Sequence, residues 1–232
     1  SIDNYNKAIE LKTQFAIAYD ARGVSYRVLG NFQKAIEDAN KAIELNPQFL
    51  VAISNRGIAY HQLGNYDQAI KDYNKAIELN PKDFIDYVNR GLSYNRLGKY
   101  QQAIEDYSKA IELNPKIETA YLDRGAIYGN KLGNYQLAIN DFNKAIELNP
   151  KSAMAYLNRG VVYGKIGNYQ QEIEDYNKAI EVNPQFAIAY YYKGISYSKQ
   201  GSYKQAVEET KIAARLGLKA AQDYLRSHGV RW

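Results

Sequence analysis

Apolar residues recur along this chain with a helical period, and the pattern restarts at regular intervals. Tyr19, Gly23 and Tyr26 step by four and three; Phe32, Ala35, Ile36, Ala39, Ala42 and Ile43 continue in steps of three and one. Two such stripes predict two amphipathic helices, with Leu29-Gly30-Asn31 as the turn between them. Pro47 ends the second helix, because proline lacks a backbone donor and disfavours helical geometry at Asn46. A new stripe begins directly afterwards, so the predicted unit is a helical hairpin.

The hairpin repeats. Asn-Pro stands at Asn46-Pro47, Asn80-Pro81, Asn114-Pro115, Asn149-Pro150 and Asn183-Pro184, spaced by 34, 34, 35 and 34 residues. Periods of this size mark stacked repeats. Six units cover 16–49, 50–83, 84–117, 118–152, 153–186 and 187–220, preceded by a half unit at 1–15 and followed by a capping helix and tail at 221–232. Without a linker or compositional break, 1–232 reads as one all-α solenoid domain. Ile2, Tyr5, Ala8 and Ile9 reproduce the rows of Ile104, Tyr107, Ala110 and Ile111, so the chain is expected to start inside a repeat of a longer array. The apolar face uncovered there predicts self-association through the incomplete repeat.

Gly23, Gly57, Gly91, Gly125, Gly160 and Gly194 fall in the middle of first helices, where each costs about 1 kcal/mol relative to Ala. Close approach of the facing helix at Ala35, Ala69, Ala103, Ala138 and Ala206 is the expected reason. Glu172 replaces that Ala opposite Gly160, and should reach solvent or a cation. Arg22, Arg56, Arg90, Arg124 and Arg159 precede Gly, and Asp38, Asp72, Asp106, Asp141 and Asp175 follow 16 or 17 residues later; Lys193 and Glu209 change together in the sixth unit. Helix-to-helix ion pairs are the expected reading. Glu37 and Glu105 stand four residues before Lys41 and Lys109, the spacing of surface pairs. The fourth unit carries one extra residue in Gly129-Asn130-Lys131, which predicts a local bulge or wide turn.

A unit such as Ala120-Tyr121-Leu122-Asp123-Arg124-Gly125 through Leu132-Gly133-Asn134-Tyr135, Ala138, Phe142, Ala145 and Pro150 resembles a tetratricopeptide repeat. The resemblance covers nearly the whole chain. It implies a right-handed α-solenoid, with first helices lining a concave groove that takes a protein or peptide ligand. On that face stand Ile17, Ala21 and Val24; Val51, Ser54, Asn55 and Ile58; Ile85, Val88, Asn89 and Leu92; Thr119, Leu122 and Asp123; Met154, Leu157, Asn158 and Val161; and Ile188, Tyr191, Tyr192 and Ile195. Asn55, Asn89, Leu122, Asp123, Leu157, Asn158, Tyr191 and Tyr192 are the candidate peptide-binding residues, amides offering donor and acceptor among apolar neighbours. The carboxylate clamp found in some members is not expected: of Asp20, Val24, Asn55, Ile85 and Asn89, only Asn55 suits it.

Composition narrows the alternatives. Tyr is abundant, 23 copies against 6 Phe and 1 Trp, and 21 of them fall in repeating rows that read as packing. Tyr191 and Tyr192 lie off those rows, as groove anchors or as contacts to the capping helix. The net charge is +5, with seven basic and three acidic residues from Lys199 onward. RNA binding by that end is the alternative function, and self-assembly another, but nucleic acid is disfavoured because each Arg has an acidic partner available. With no Cys, His only at 61 and 228, no phosphate-binding Gly loop and no nucleophile elbow, no enzyme activity, metal or cofactor is expected. No apolar run approaches the roughly 20 residues of a bilayer span, so membrane insertion is not expected. A chain without thiols suits any compartment, with the cytoplasm favoured.

Overall fold

The computed structural model describes residues 2–232, and among them there are only helices, arranged as an α-solenoid of hairpins. Two compact units divide the chain at Pro115, Ser1–Pro115 and Lys116–Trp232. The first holds α1 (Ile2–Leu11) and the hairpins α2 (Ala16–Val28) with α3 (Phe32–Leu45), α4 (Leu50–Gln62) with α5 (Tyr66–Leu79), and α6 (Phe84–Arg96) with α7 (Tyr100–Leu113). The second begins with α8 (Glu118–Ile127), a π-helical segment (Tyr128–Leu132) and α9 (Tyr135–Leu148). It continues with α10 (Ala153–Lys165) and α11 (Tyr169–Val182), α12 (Ala187–Lys199) and α13 (Tyr203–Arg215), and α14 (Lys219–Ser227). Within each unit, every helix packs on the helix before it and the helix after it.

Local chemistry sets the ends of these helices. Gly30 takes a φ of +78° in the turn between α2 and α3, a conformation that only glycine adopts cheaply. Asn31, Asn65 and Asn168 then cap α3, α5 and α11 by accepting from the amides of Lys34, Gln68 and Gln171. At the far end, Asn46, Asn114 and Asn183 are extended ahead of their prolines, and Asn46 Oδ1 accepts from Gln48 N.

The core follows the small-residue rows, with two corrections. Ala76, Ala110, Ala145 and Ala179 are wholly buried, as are Ala69, Ala103 and Ala138. The mid-helix glycines, however, make room mainly for an aromatic ring. A Cβ on Gly57 would lie 2.8 Å from the Tyr73 ring, and one on Gly125 2.9 Å from Phe142; Gly91 and Gly160 face Tyr107 and Tyr176 likewise. Only at Gly23 and Gly194 is the backbone of the Ala row, at Ala35 and Ala206, among the first two contacts. The tyrosine rows are also less buried than packing alone predicts. Tyr73, Tyr107, Tyr121 and Tyr176 are core, whereas Tyr203 is 69% exposed. Several of the half-buried rings lie beneath guanidinium groups, such as Tyr19 under Arg22 and Tyr87 under Arg90.

All six expected ion pairs form, at 2.6 to 2.8 Å, from Arg22–Asp38 to Lys193–Glu209. Burial raises the carboxyls of Asp106 and Asp175 against the pull of Arg90 and Arg159, and Glu105 and Glu174 add to the rise. On the surface, Lys41 pairs with Glu44 and Lys109 with Glu112, three residues later, rather than with Glu37 and Glu105. Near the C-terminus of a helix this choice places each lysine where exposed carbonyls also attract it.

The extra residue of the fourth unit is absorbed as the π-helical turn Tyr128–Leu132, the local bulge that the spacing predicts. Lys165 of α10 secures it, donating from Nζ to Gly129 O at 3.0 Å and to Asn130 Oδ1 at 2.8 Å. Glu172 corrects the sequence expectation outright. It reaches neither solvent nor a cation: it is 4% exposed, stands against Gly164 rather than Gly160, and accepts from Tyr176 Oη at 3.1 Å.

Candidate functional site

The first helices present one face away from their hairpin partners, and its second position is a row of exposed apolar side chains. In the first unit of the fold these are Ile17, Val51 and Ile85, 61%, 53% and 52% exposed; in the second, Met154 is 48% exposed. Each stands at the second position of a helix whose buried side carries Ala18, Ala52, Asp86 or Ala155 one residue later. Helical spacing therefore separates a packing row from a row left in water.

Of the candidate residues in the first unit, Asn55 and Asn89 are half-buried on this face. Asn55 spends its amide within the protein, donating from Nδ2 to Asp20 Oδ1 at 2.9 Å. The Asn89 carboxamide has no protein partner and stays available to a ligand. In the second unit Leu122 packs against the cluster of Ala138, Ile139, Phe142 and Val162, and Asp123 beside it is half-buried. Leu157 is core, 4% exposed among Tyr176, Ala179 and Ala189, so it braces the face and offers little contact. Asn158 has no protein partner for its amide.

The two tyrosines of α12 divide their roles. Tyr191 packs against Ala213, Ala214, Ala221 and Leu225, which makes it a contact to the capping helix α14. It also lines a cavity of about 230 Å³ with Gly194, Ile195, Ser198 and Thr210. Tyr192 stacks on Tyr176 at a centroid distance of 6.1 Å and belongs to a second cavity, of about 180 Å³, with Val161, Gly164, Glu172 and Ile195. Both rings are held by packing and half-exposed, as a rigid contact surface requires.

A polar seam that spacing does not predict joins neighbouring first helices. Ser54 of α4 donates to Asp86 of α6 at 3.1 Å, and His61 Nδ1 lies 2.9 Å from the buried Ser93 hydroxyl. Asp86 is 1% exposed; burial lifts its carboxyl to about 6, against the Ser54 hydrogen bond, and Asp83 adds to the rise. Asp20 rises too, mainly by burial, while Asn55 and Arg27 oppose. Burial and nearby Arg96 push His61 the other way, favouring its neutral ring. The signal was present: Asp86 stands where the other five units have Ala18, Ala52, Ala120, Ala155 and Ala189. Glu172 breaks the other Ala row in the same manner.

Among the described residues no cluster of His, Asp or Glu could hold a metal ion, and no helix is long and apolar enough to cross a membrane. Arg22, Arg56, Arg90, Arg124 and Arg159 are each paired with an Asp.

Comparison with known proteins agrees with the repeat pattern. A family model described as tetratricopeptide repeat matches residues 16–49, 51–83, 86–117 and 153–186. Further repeat models of this kind match 130–167 and 175–208. Among solved structures, MamA is 31% identical, with a TM-score of 0.64 over 72% of this chain and 96% of that one. YrrB, described as a TPR protein with an unusual peptide-binding site, is 25% identical, with a TM-score of 0.65 over 82% and 97%. A tetratricopeptide repeat protein from Parabacteroides merdae ATCC 43184 shares the fold, with 23% identity and a TM-score of 0.74 over 97% and 90%. No sequence match to the chain is found among curated proteins.

Proposed function

Because the chain belongs to the tetratricopeptide repeat family, a family of protein-interaction scaffolds, we propose that it is a non-catalytic scaffold that binds a peptide or amphipathic segment of a partner along its first-helix face. The observation that carries this reading is the row of Ile17, Val51, Ile85 and Met154, large apolar side chains kept in water at one repeat position. Singly exposed apolar residues are ordinary, but in the first unit a row at fixed spacing beside the Asn89 amide, and in the second Met154 on the same helix as the Asn158 amide, suit alternate side chains and peptide groups of a bound segment. The peptide-binding site named for YrrB, one quarter identical in sequence, supports the same reading.

Selection of peptides from a random display library, followed by amide-shift mapping on the labelled protein, tests it. Binders should perturb α4, α6, α10 or α12 on the first-helix face and lose affinity when Val51 and Ile85 become Glu. Binders that map instead to second helices would overturn the assignment. Phosphate-driven RNA binding would lose affinity steeply with added salt, whereas apolar contacts change little.

A further inference from the structure

Glu172 carries an inference beyond this reading, although it rests on it. Its Oε1 accepts from Tyr176 Oη, and its Oε2 has no hydrogen-bond partner in the protein. A carboxylate 4% exposed with one oxygen unspent is costly to keep. The fold itself does not demand it, since Ala35, Ala69, Ala103, Ala138 and Ala206 fill the same position in the other five hairpins. Space has been made for it as well: a Cβ on Gly164 would collide with the carboxylate. Glu172 also lines the 180 Å³ cavity, together with Val161 and Gly164 of α10 and Tyr192 and Ile195 of α12. That volume far exceeds the ~15 Å³ that one water needs.

We propose that Glu172 is the floor of a subsite that receives a cationic side chain, arginine or lysine, from the segment bound on α10 and α12. The ring of Tyr192 and the apolar walls would take the aliphatic stem, and the guanidinium or ammonium would donate to the unspent Oε2. Two lysines stand at the rim. Lys165 is committed to Gly129 O and Asn130 Oδ1, and Lys199 is exposed and makes no ion pair. Both repel an incoming cation, which leaves the Glu172 carboxylate and the faces of Tyr176 and Tyr192 to attract one, and Glu172→Gln separates the two.

The test uses the full chain and pools of heptapeptides, random except for a fixed central residue that is arginine, lysine, citrulline or norleucine. The readout is the amide shifts of Gly164, Tyr192 and Ile195. The arginine and lysine pools should half-saturate these shifts at about tenfold lower concentration than the norleucine pool, with citrulline siding with norleucine. Glu172→Gln should erase the preference while leaving the norleucine-level binding. Glu172→Ala should do the same, in a protein whose folding is supported by alanine at the equivalent position of every other hairpin. Equal half-saturation by all pools, or an arginine preference that survives Glu172→Gln, would overturn the subsite and leave the groove reading intact. If no pool moves any first-helix amide of α10 or α12, the subsite fails; if α4 and α6 are silent as well, the groove reading fails with it.

Discussion

Arg56 donates from Nη1 to Asn40 Oδ1 at 2.8 Å, sixteen residues earlier in the chain, and so ties its own hairpin to the one before. Its Nε and Nη2 hold both oxygens of Asp72, sixteen residues later. One planar side chain thereby fixes α4 against α3 and α5 together. Arg22 with Asn6 and Asp38, Arg90 with Asn74 and Asp106, and Arg159 with Asn143 and Asp175 repeat the arrangement. The guanidinium suits this task because its donors diverge in one plane, which an ammonium cannot imitate.

The sixth hairpin uses Lys193 with Glu209 instead, at 2.7 Å, a longer acid meeting a point charge. Arg56→Lys should therefore cost about 2 kcal/mol in urea denaturation, since Asp72 loses a bidentate partner while largely buried. Adding Asp72→Glu should recover about 1 kcal/mol of that loss. Additive losses in the double-mutant cycle would show that the sixth-hairpin chemistry is not transferable.

Asp86 yields a prediction with a definite sign. Its carboxyl titrates at about 6 in the folded protein against an ordinary value of 3.8, so between these values the folded state holds a proton that the unfolded state has released. Stability from this group is present below pH 3.8 and is lost as pH rises through 6; the span of 2.2 units corresponds to about 3 kcal/mol. Asp86→Asn keeps the shape without the charge. It should melt higher than the parent at pH 8 and converge with it near pH 4. A melting temperature lowered at pH 8 would mean that ionised Asp86 makes a contact worth more than its burial costs.

What could be read in the sequence was whatever recurs. The hairpins and the ion pairs follow from period and offset, because a row repeated six times separates packing from accident, and the bulge at Gly129 shows as a break in that period. What could not be read was whatever occurs once or depends on direction. Asp86 stands alone in one Ala row and Glu172 in another, where spacing points to Gly160 and the fold brings the carboxylate to Gly164. The helical rise that brings Glu172 to Gly164 differs from the Gly160 position by a single turn. Leu157 sits on the groove face by spacing, yet the neighbouring helix covers it; α12 contributes Ala189 to that cluster. Coverage by a neighbour is a property of the stack, which spacing within one repeat does not carry.

The bulge gives a third prediction. A Cβ on Gly129 would lie 2.7 Å from Val162 Cγ2 and 3.2 Å from Ala138 Cβ, both buried. Gly129→Ala should thus cost about 1–3 kcal/mol through overpacking. Gly30→Ala, with open space around it and a φ of +78°, should cost about 1 kcal/mol through backbone strain alone. Val162→Ala, which has a core cost of its own, should cost less in the Gly129→Ala background than in the parent and the same in the Gly30→Ala background, as thermal melts of the six proteins would reveal.

The last prediction separates two reasons for a glycine at the same repeat position. Gly57 faces the Tyr73 ring, 2.8 Å from a Cβ, whereas at Gly23 the equivalent partner is Ala39 and a Cβ would meet Ala35 O at 3.1 Å and Asp38 Cβ at 3.2 Å. Tyr73 is 1% exposed and has no room to retreat, so Gly57→Ala must shift either the ring or α4. Its cost should be about 3 kcal/mol, against about 1 kcal/mol for Gly23→Ala, where a displacement of a few tenths of an ångström suffices. Tyr73→Ala alone should be severe, because a large cavity opens in the core. Combined with Gly57→Ala it should cost less than the sum, since the added methyl now enters vacated space and α4–α5 approaches the Gly23–Ala39 packing already present in α2–α3. Strict additivity in that cycle would mean that the ring is not what keeps this position glycine, and backbone approach alone would have to account for all six.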